Sequence, residues 1–234
     1  MTTTDYVTNK PNDTTKPDKT ICVFCGSSFG NNEIFAKNAN DLGKSLAKRN
    51  WGLVYGGGST GIMGSVARGC ATNGGYVHGI IPSALISRER IDDEKFNEHL
   101  KSSIDNHDGS TPIPDLKEYG HTTLVKDMHT RKKMMGEEAD AFIALPGGYG
   151  TLEELMEVVT WFQLNIHNKP IVIFNMNGFY DNFLKFIKDA IKNEFVSEKN
   201  GEIIKVAETA DEVLKAIEEY KIPEGRFNLN WENT

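Results

Sequence analysis

Gly52-Leu53-Val54-Tyr55-Gly56-Gly57-Gly58-Ser59-Thr60-Gly61-Ile62-Met63-Gly64 is a short apolar run that stops in three glycines and then opens a helical pattern. The same succession of strand, glycine loop and helix occurs twice more. Upstream, Ile21-Cys22-Val23-Phe24-Cys25 ends in Gly26-Ser27-Ser28, and Phe35, Ala39, Leu42 and Leu46 then recur at the spacing of one helix face. Downstream, Ala141 to Leu145 runs into Pro146-Gly147-Gly148-Tyr149-Gly150-Thr151, followed by a helix from Thr151 to Gln163. Tyr76 to Ile81, His121 to Val125 and Ile171 to Phe174 read as further strands. Ile62 to Cys70, Met128 to Glu138, Tyr180 to Lys192 and Ala210 to Tyr220 read as helices. Strands separated by helical patterns imply parallel β-α-β units with crossover helices on both faces. The predicted fold class is therefore α/β, a Rossmann-like doubly wound parallel sheet in a single domain.

Composition bounds the rest. The chain of 234 residues is 38% hydrophobic and 25% charged, enough for one large domain with a sizeable core. Twenty-six basic against 33 acidic residues give a net charge of −7, which argues against a nucleic-acid partner. No apolar run is long enough to span a bilayer, and Met1 to Lys19 has no hydrophobic stretch, so neither membrane nor secretory signal is expected. Three cysteines make no disulfide framework, and a reducing, cytoplasmic location is expected. Residues 1–19, rich in Thr, Asn, Asp, Lys and Pro, read as a disordered tail, 20–222 as the domain and 223–234 as a C-terminal tail. The polar stretch from Ser83 to Tyr119, broken by Asp108-Gly109 and Pro112-Ile113-Pro114, reads as a functional excursion or a disordered loop.

In an open parallel sheet, ligands bind beyond the carboxyl ends of the strands, where the three glycine loops fall. Each opens a helix, so backbone N–H groups and a helix dipole face whatever binds there. Together they point to a phosphate-bearing ligand. Gly56-x-Gly58-x-x-Gly61 matches the dinucleotide fingerprint, but the next strand ends at Ile81-Pro82 without a carboxylate for a ribose hydroxyl. No Gly-Lys-Ser/Thr occurs, which removes the P-loop. Cys22-x-x-Cys25 suggests redox or zinc chemistry, yet residues three apart on a strand face opposite ways, so buried core thiols are expected. Asp127-Met128-His129-Thr130-Arg131-Lys132-Lys133 opens a helix just after a strand; Arg131 reads as either a ligand-edge cation or part of a solvated face capped by Asp127. Thr151-Leu152-Glu153-Glu154 fits a capping box with Thr151 as cap, but a first-turn glutamate beside a phosphate loop also suits catalysis.

The nine residues from Pro146 to Glu154 resemble the PGGxGTxxE motif of the LONELY GUY proteins, the cytokinin-activating phosphoribohydrolases. Cys22 to Ser28, Val54 to Gly64 and Asp127 to Lys132 resemble the same family, so that the likeness extends over roughly residues 20 to 192. The resemblance implies a dimeric Rossmann-like hydrolase that cleaves N6-substituted adenosine 5′-monophosphate into free base and ribose 5-phosphate. It implies Arg131 and Glu154 as the catalytic pair, a substrate-contacting glutamate at Glu89, and a phosphate loop over Gly147, Gly148, Tyr149, Gly150 and Thr151. The candidate substrate-binding set further takes in Ser27, Gly57, Gly58, Lys132 and Thr160. No metal and no cofactor is expected. The stretch from Ile91 to Tyr119 departs from the family pattern. The competing expectation is a nucleotide or phosphorylated-cofactor carrier of the same fold that binds without cleaving.

Overall fold

The computed structural model describes residues 7–8, 16–85 and 115–231. Residues 86–114, with most of the polar excursion and Glu89, lie outside the described residues. In chain order the elements are β1 (Val7–Thr8), β2 (Lys19–Phe24), α1 (Glu33–Lys48), β3 (Trp51–Tyr55), α2 (Gly61–Ala71), β4 (Val77–Pro82), α3 (Leu116–Tyr119) and β5 (His121–Val125). They continue with α4 (Met128–Glu138), β6 (Ala141–Ala144), α5 (Tyr149–Gln163), β7 (Ile171–Phe174), α6 (Asp181–Lys192), β8 (Ile204–Ala207) and α7 (Ala210–Glu218). The strands form one sheet in the order β1-β5-β4-β3-β2-β6-β7-β8. All neighbours run parallel except β1, which pairs antiparallel with β5.

Both faces of the sheet are covered, which is why its central strands are apolar without interruption. Ile21, Val23 and Cys25 pack on one face beneath α1, α2 and α7. Cys22 and Phe24 point to the other, toward α4 and α5. The Cys22-x-x-Cys25 thiols are thus split between two cores, and all three cysteines are buried and outside any disulfide among the described residues. On α1, Phe35, Ala39, Leu42 and Leu46 form the buried stripe that their spacing predicts, and the Asn32 side chain caps the helix by accepting from Ile34 N–H at 3.0 Å.

Several boundaries differ from the sequence reading. Val7 and Thr8, inside the predicted tail, sit opposite Leu124 and Thr123 at the sheet edge. Lys19 already belongs to β2, and the preceding Asp18 N–H donates to the Asn50 carbonyl at 2.9 Å. Residues 223–231 are not free of the domain either. Phe227 N–H donates to Gln163 O, and Trp231 Nε1 to Leu164 O, both at 2.9 Å, while Asn165 Nδ2 donates to Leu229 O at 3.0 Å. The segment occupies carbonyls that the end of α5 would otherwise leave open. The sequence reading also passes over β8, a half-exposed edge strand.

Candidate active site

The chain winds outward from β2 through β3 and β4 to β5, then returns to β6 on the other side of β2. The loops after β2 and β6 therefore diverge at the topological switch point, where such sheets form their ligand crevice. Backbone bonds knit the three glycine loops together. Gly26 N–H donates to Pro146 O at 3.0 Å, Met63 N–H to Gly26 O at 3.2 Å and Ile62 N–H to Ser28 O at 3.3 Å. The Thr60 hydroxyl adds a bond to Ser27 O at 3.0 Å. Donors at the start of α2 are thereby spent inside the protein.

The start of α5 is different. The helix begins at Tyr149, with Gly148 as its cap, so Thr151 is not the cap and Glu154 is not the third residue. The capping-box reading is overturned: a glycine cap offers no side-chain bond, and Thr151 faces inward at 3% exposure. Among the described residues, no acceptor takes the N–H groups of Tyr149, Gly150 or Thr151. A Cβ added at Gly148 or Gly150 would meet nothing within 4 Å, whereas one at Gly147 would strike the Thr151 hydroxyl and Gly26 N. Gly57 has φ +78° and lies against Ile81, a position that excludes a side chain twice over.

Beside this helix start lie the two predicted catalytic side chains. Arg131 sits on the sheet-facing side of α4 at 4% exposure and Glu154 on that of α5 at 8%. Arg131 Nη2 and Glu154 Oε1 are 3.6 Å apart, an ion pair too long for a tight hydrogen bond. Arg131 Nε is buried with no hydrogen-bond partner among the described residues. The guanidinium fills the space where a Cβ of Gly56 would stand, so the glycine run of the second loop exists partly to admit it. Cys22, wholly buried within electrostatic reach, has its thiol pushed well up by burial and by the charge of Glu154, which makes it inert.

The other candidates divide. Gly57, Gly58 and Thr151 are buried, while Ser27 and Tyr149 are exposed at the rim. Lys132 does not turn toward the helix start; its ammonium donates to Glu153 at 2.8 Å and Glu157 at 2.9 Å. Thr160 is exposed, and its hydroxyl donates to Met156 O at 2.8 Å. Six residues along α5, or about 9 Å, separate it from Glu154, so this chain does not bring it to the pair. Sequence reasoning missed the anchor at the far end of α4. There Glu138 accepts from Tyr76 OH at 2.9 Å and meets His78 Nδ1 at 2.6 Å, and His78 stacks on His121 with centroids 4.1 Å apart. Burial pushes the Glu138 carboxyl up, but the bonds from His78 and Tyr76 outweigh it and hold the group below its ordinary range. Its only sequence signal is that Arg131, Met135 and Glu138 recur at helical spacing.

A family model described as "possible lysine decarboxylase" matches residues 63–217. A cytokinin riboside 5′-monophosphate phosphoribohydrolase of Arabidopsis thaliana is 46% identical over 200 residues, covering 86% of this chain and 82% of the relative. A probable enzyme of the same name from Oryza sativa subsp. japonica is 44% identical over 216 residues, 92% of this chain and 91% of the relative. Among solved structures, the molybdenum cofactor carrier protein of Chlamydomonas reinhardtii superposes with a TM-score of 0.58 at 20% identity, over 88% of this chain and 98% of that one. The carrier likeness concerns the fold alone. Identity at this level over most of both chains makes the protein a member of the LONELY GUY family, the cytokinin riboside 5′-monophosphate phosphoribohydrolases.

Proposed function

We propose that this chain hydrolyses the N-glycosidic bond of N6-substituted adenosine 5′-monophosphates, releasing the free base, a cytokinin, and ribose 5-phosphate. The observation that carries the reading is the buried Arg131–Glu154 pair beside the unclaimed N–H groups that open α5. Those donors and the helix dipole suit the 5′-phosphate. With the phosphate anchored there, C1′ comes within reach of Glu154. Cleavage builds positive charge on the ribose, which an ionised carboxylate stabilises. Glu154 takes a proton from the attacking water as its oxygen bonds to C1′. The bond electrons leave with the base, which takes up the proton that Glu154 drew from the water, so that the carboxylate is restored. Arg131 stands opposite Glu154 and orients it, and its Nε–H, without a partner among the described residues, is a donor for ribose or phosphate oxygen.

The description of the matching family model names a decarboxylase, chemistry that needs a lysine of lowered pKa to form a Schiff base with pyridoxal phosphate. Lys132 does not fit. Burial works against its charge, but Glu153 and Glu157 more than compensate and hold it above its usual pKa. We read the protein as a cytoplasmic homodimer, in keeping with three buried cysteines that form no disulfide among the described residues and with an open groove of about 560 Å³ between α4 and α5, flanked by His129, Lys133, Met134, Glu137 and Trp161, for a second copy to cover. Sedimentation velocity tests the assembly. The activity is tested by incubating the protein with adenosine 5′-monophosphate and its N6-isopentenyl derivative and following free base by chromatography. Binding without release overturns the hydrolase reading.

A further inference from the structure

Lys132 follows Arg131 on α4, and one residue turns a helix by about 100°, so the two side chains serve different surroundings. Arg131 goes inward to Glu154. Lys132 reaches across to α5, where Glu153 and Glu157 lie one turn apart and flank the catalytic glutamate in sequence. Its ammonium is 2.8 Å from one carboxylate and 2.9 Å from the other, and its side chain is only 15% exposed. Two carboxylates around one ammonium leave a local charge of −1, which repels a phosphate dianion rather than attracting it. No other ion pair among the described residues joins α4 to α5 except that of Arg131 and Glu154 themselves.

We infer that Lys132 is a positioning residue that braces α4 against α5, so that Arg131 and Glu154 stay opposed, and that it is not a ligand for substrate phosphate. The inference rests on the proposed hydrolase reading for its kinetic consequence. Displacement of a reacting group by about 1 Å costs up to 10²-fold in rate, and the bridge acts on relative helix position, so the loss falls on kcat. Substrate affinity, set by the α5 N–H groups, is left alone.

The test uses the full chain as Lys132→Met, Lys132→Arg and the double variant Glu153→Gln/Glu157→Gln, with kcat and KM measured for base release from the isopentenyl nucleotide. Lys132→Met is expected to lower kcat roughly 10- to 100-fold with KM within about twofold. Lys132→Arg, which can reach both carboxylates, should recover most of the rate. The double variant should reproduce the methionine defect although it leaves the lysine in place. A large rise in KM with kcat retained makes Lys132 a phosphate ligand and overturns the brace, as do unchanged constants. If Lys132→Met does not fold, the double variant decides alone. A parent protein that releases no base sinks the hydrolase reading instead. The brace is then read from the Nε–Hε NMR signal of Arg131, assigned by its loss in Arg131→Lys. That signal should move in Lys132→Met and return in Lys132→Arg; an unmoved signal overturns the inference.

Discussion

Replacing Glu154 by glutamine separates the charge of this side chain from its shape. Were Glu154 a helix cap, the amide would serve almost as well and the cost would be a few tenths of a kcal/mol. The structure sets a different expectation, because Glu154 lies inside α5 at 8% exposure and faces a guanidinium that is 4% exposed. Two full charges 3.6 Å apart at an effective dielectric of about 20 attract by about 4–5 kcal/mol. Part of that is returned, because the neutral amide no longer needs its own desolvation penalty met. The net destabilisation is expected at about 1–3 kcal/mol, which for a chain of this size lowers Tm by roughly 3–10 °C. The effect on rate is larger. An amide neither stabilises an oxocarbenium ion nor takes a proton from water, and loss of such a base costs on the order of 10²–10⁴ in kcat. Calorimetry should find the nucleotide still bound, differential scanning a lowered Tm, and chromatography almost no free base. A variant that retains most of its base release refutes the catalytic assignment. One that melts with the parent refutes the energetic weight given to the Arg131–Glu154 pair.

Gly56→Ala puts a methyl group where the Arg131 guanidinium lies, so kcat should fall at least tenfold while the chain still folds; an unchanged kcat would mean that Arg131 has room to spare. Gly148→Val meets open space, so Tm should move by less than a few degrees, yet the branched side chain should screen the α5 donors and abolish phosphate-dependent binding. Undiminished affinity for adenosine 5′-monophosphate would move the phosphate to another loop. Burial pushes the His167 imidazole down from 6.5 to about 4, against the bond to the Val158 carbonyl and assisted by Lys169 and Arg226. Its folded pKa being depressed, its contribution is complete above pH 6.5 and lost as pH falls toward 4, on the order of 3 kcal/mol in all. Urea midpoints across that range should fall in the parent and fall less in His167→Gln; equal slopes would assign the acid sensitivity elsewhere.

Much of this architecture is legible in the chain because period and burial agree. Phe35, Ala39, Leu42 and Leu46 bury as their spacing predicts, and Asp127 caps α4 by accepting from Thr130 N–H at 2.8 Å. The resemblance of two motifs singles out Arg131 and Glu154, and the fold brings the two together. The start of α5 differs from its sequence pattern for a physical reason: Tyr149-Gly150 looks like loop, and a glycine cap leaves no signature, so the pattern points to the next threonine. Lys132 enters the candidate substrate set through its motif, which carries no information on side-chain direction; that direction depends on which face of α4 meets α5. β8 hides because Ile204-Lys205-Val206-Ala207 is an edge strand with only Ala207 buried. The His78–Glu138 contact joins residues 60 apart and depends on sheet register, which pairs His78 with His121. Local pattern carries no record of that.

The three glycine loops hold one another through main-chain bonds, Gly26 to Pro146 and α2 to Gly26 and Ser28. The frame proposed to hold the phosphate is thus indifferent to most side chains, and its conformational entropy is lost once, on folding, rather than at each binding event. Rim positions such as Ser27 and Tyr149 are then released from structural duty and can drift under selection for whatever is attached to the phosphate. A frame held by main-chain bonds can keep its shape while side chains change around it, and the fold shared with a cofactor carrier at 20% identity is of that kind.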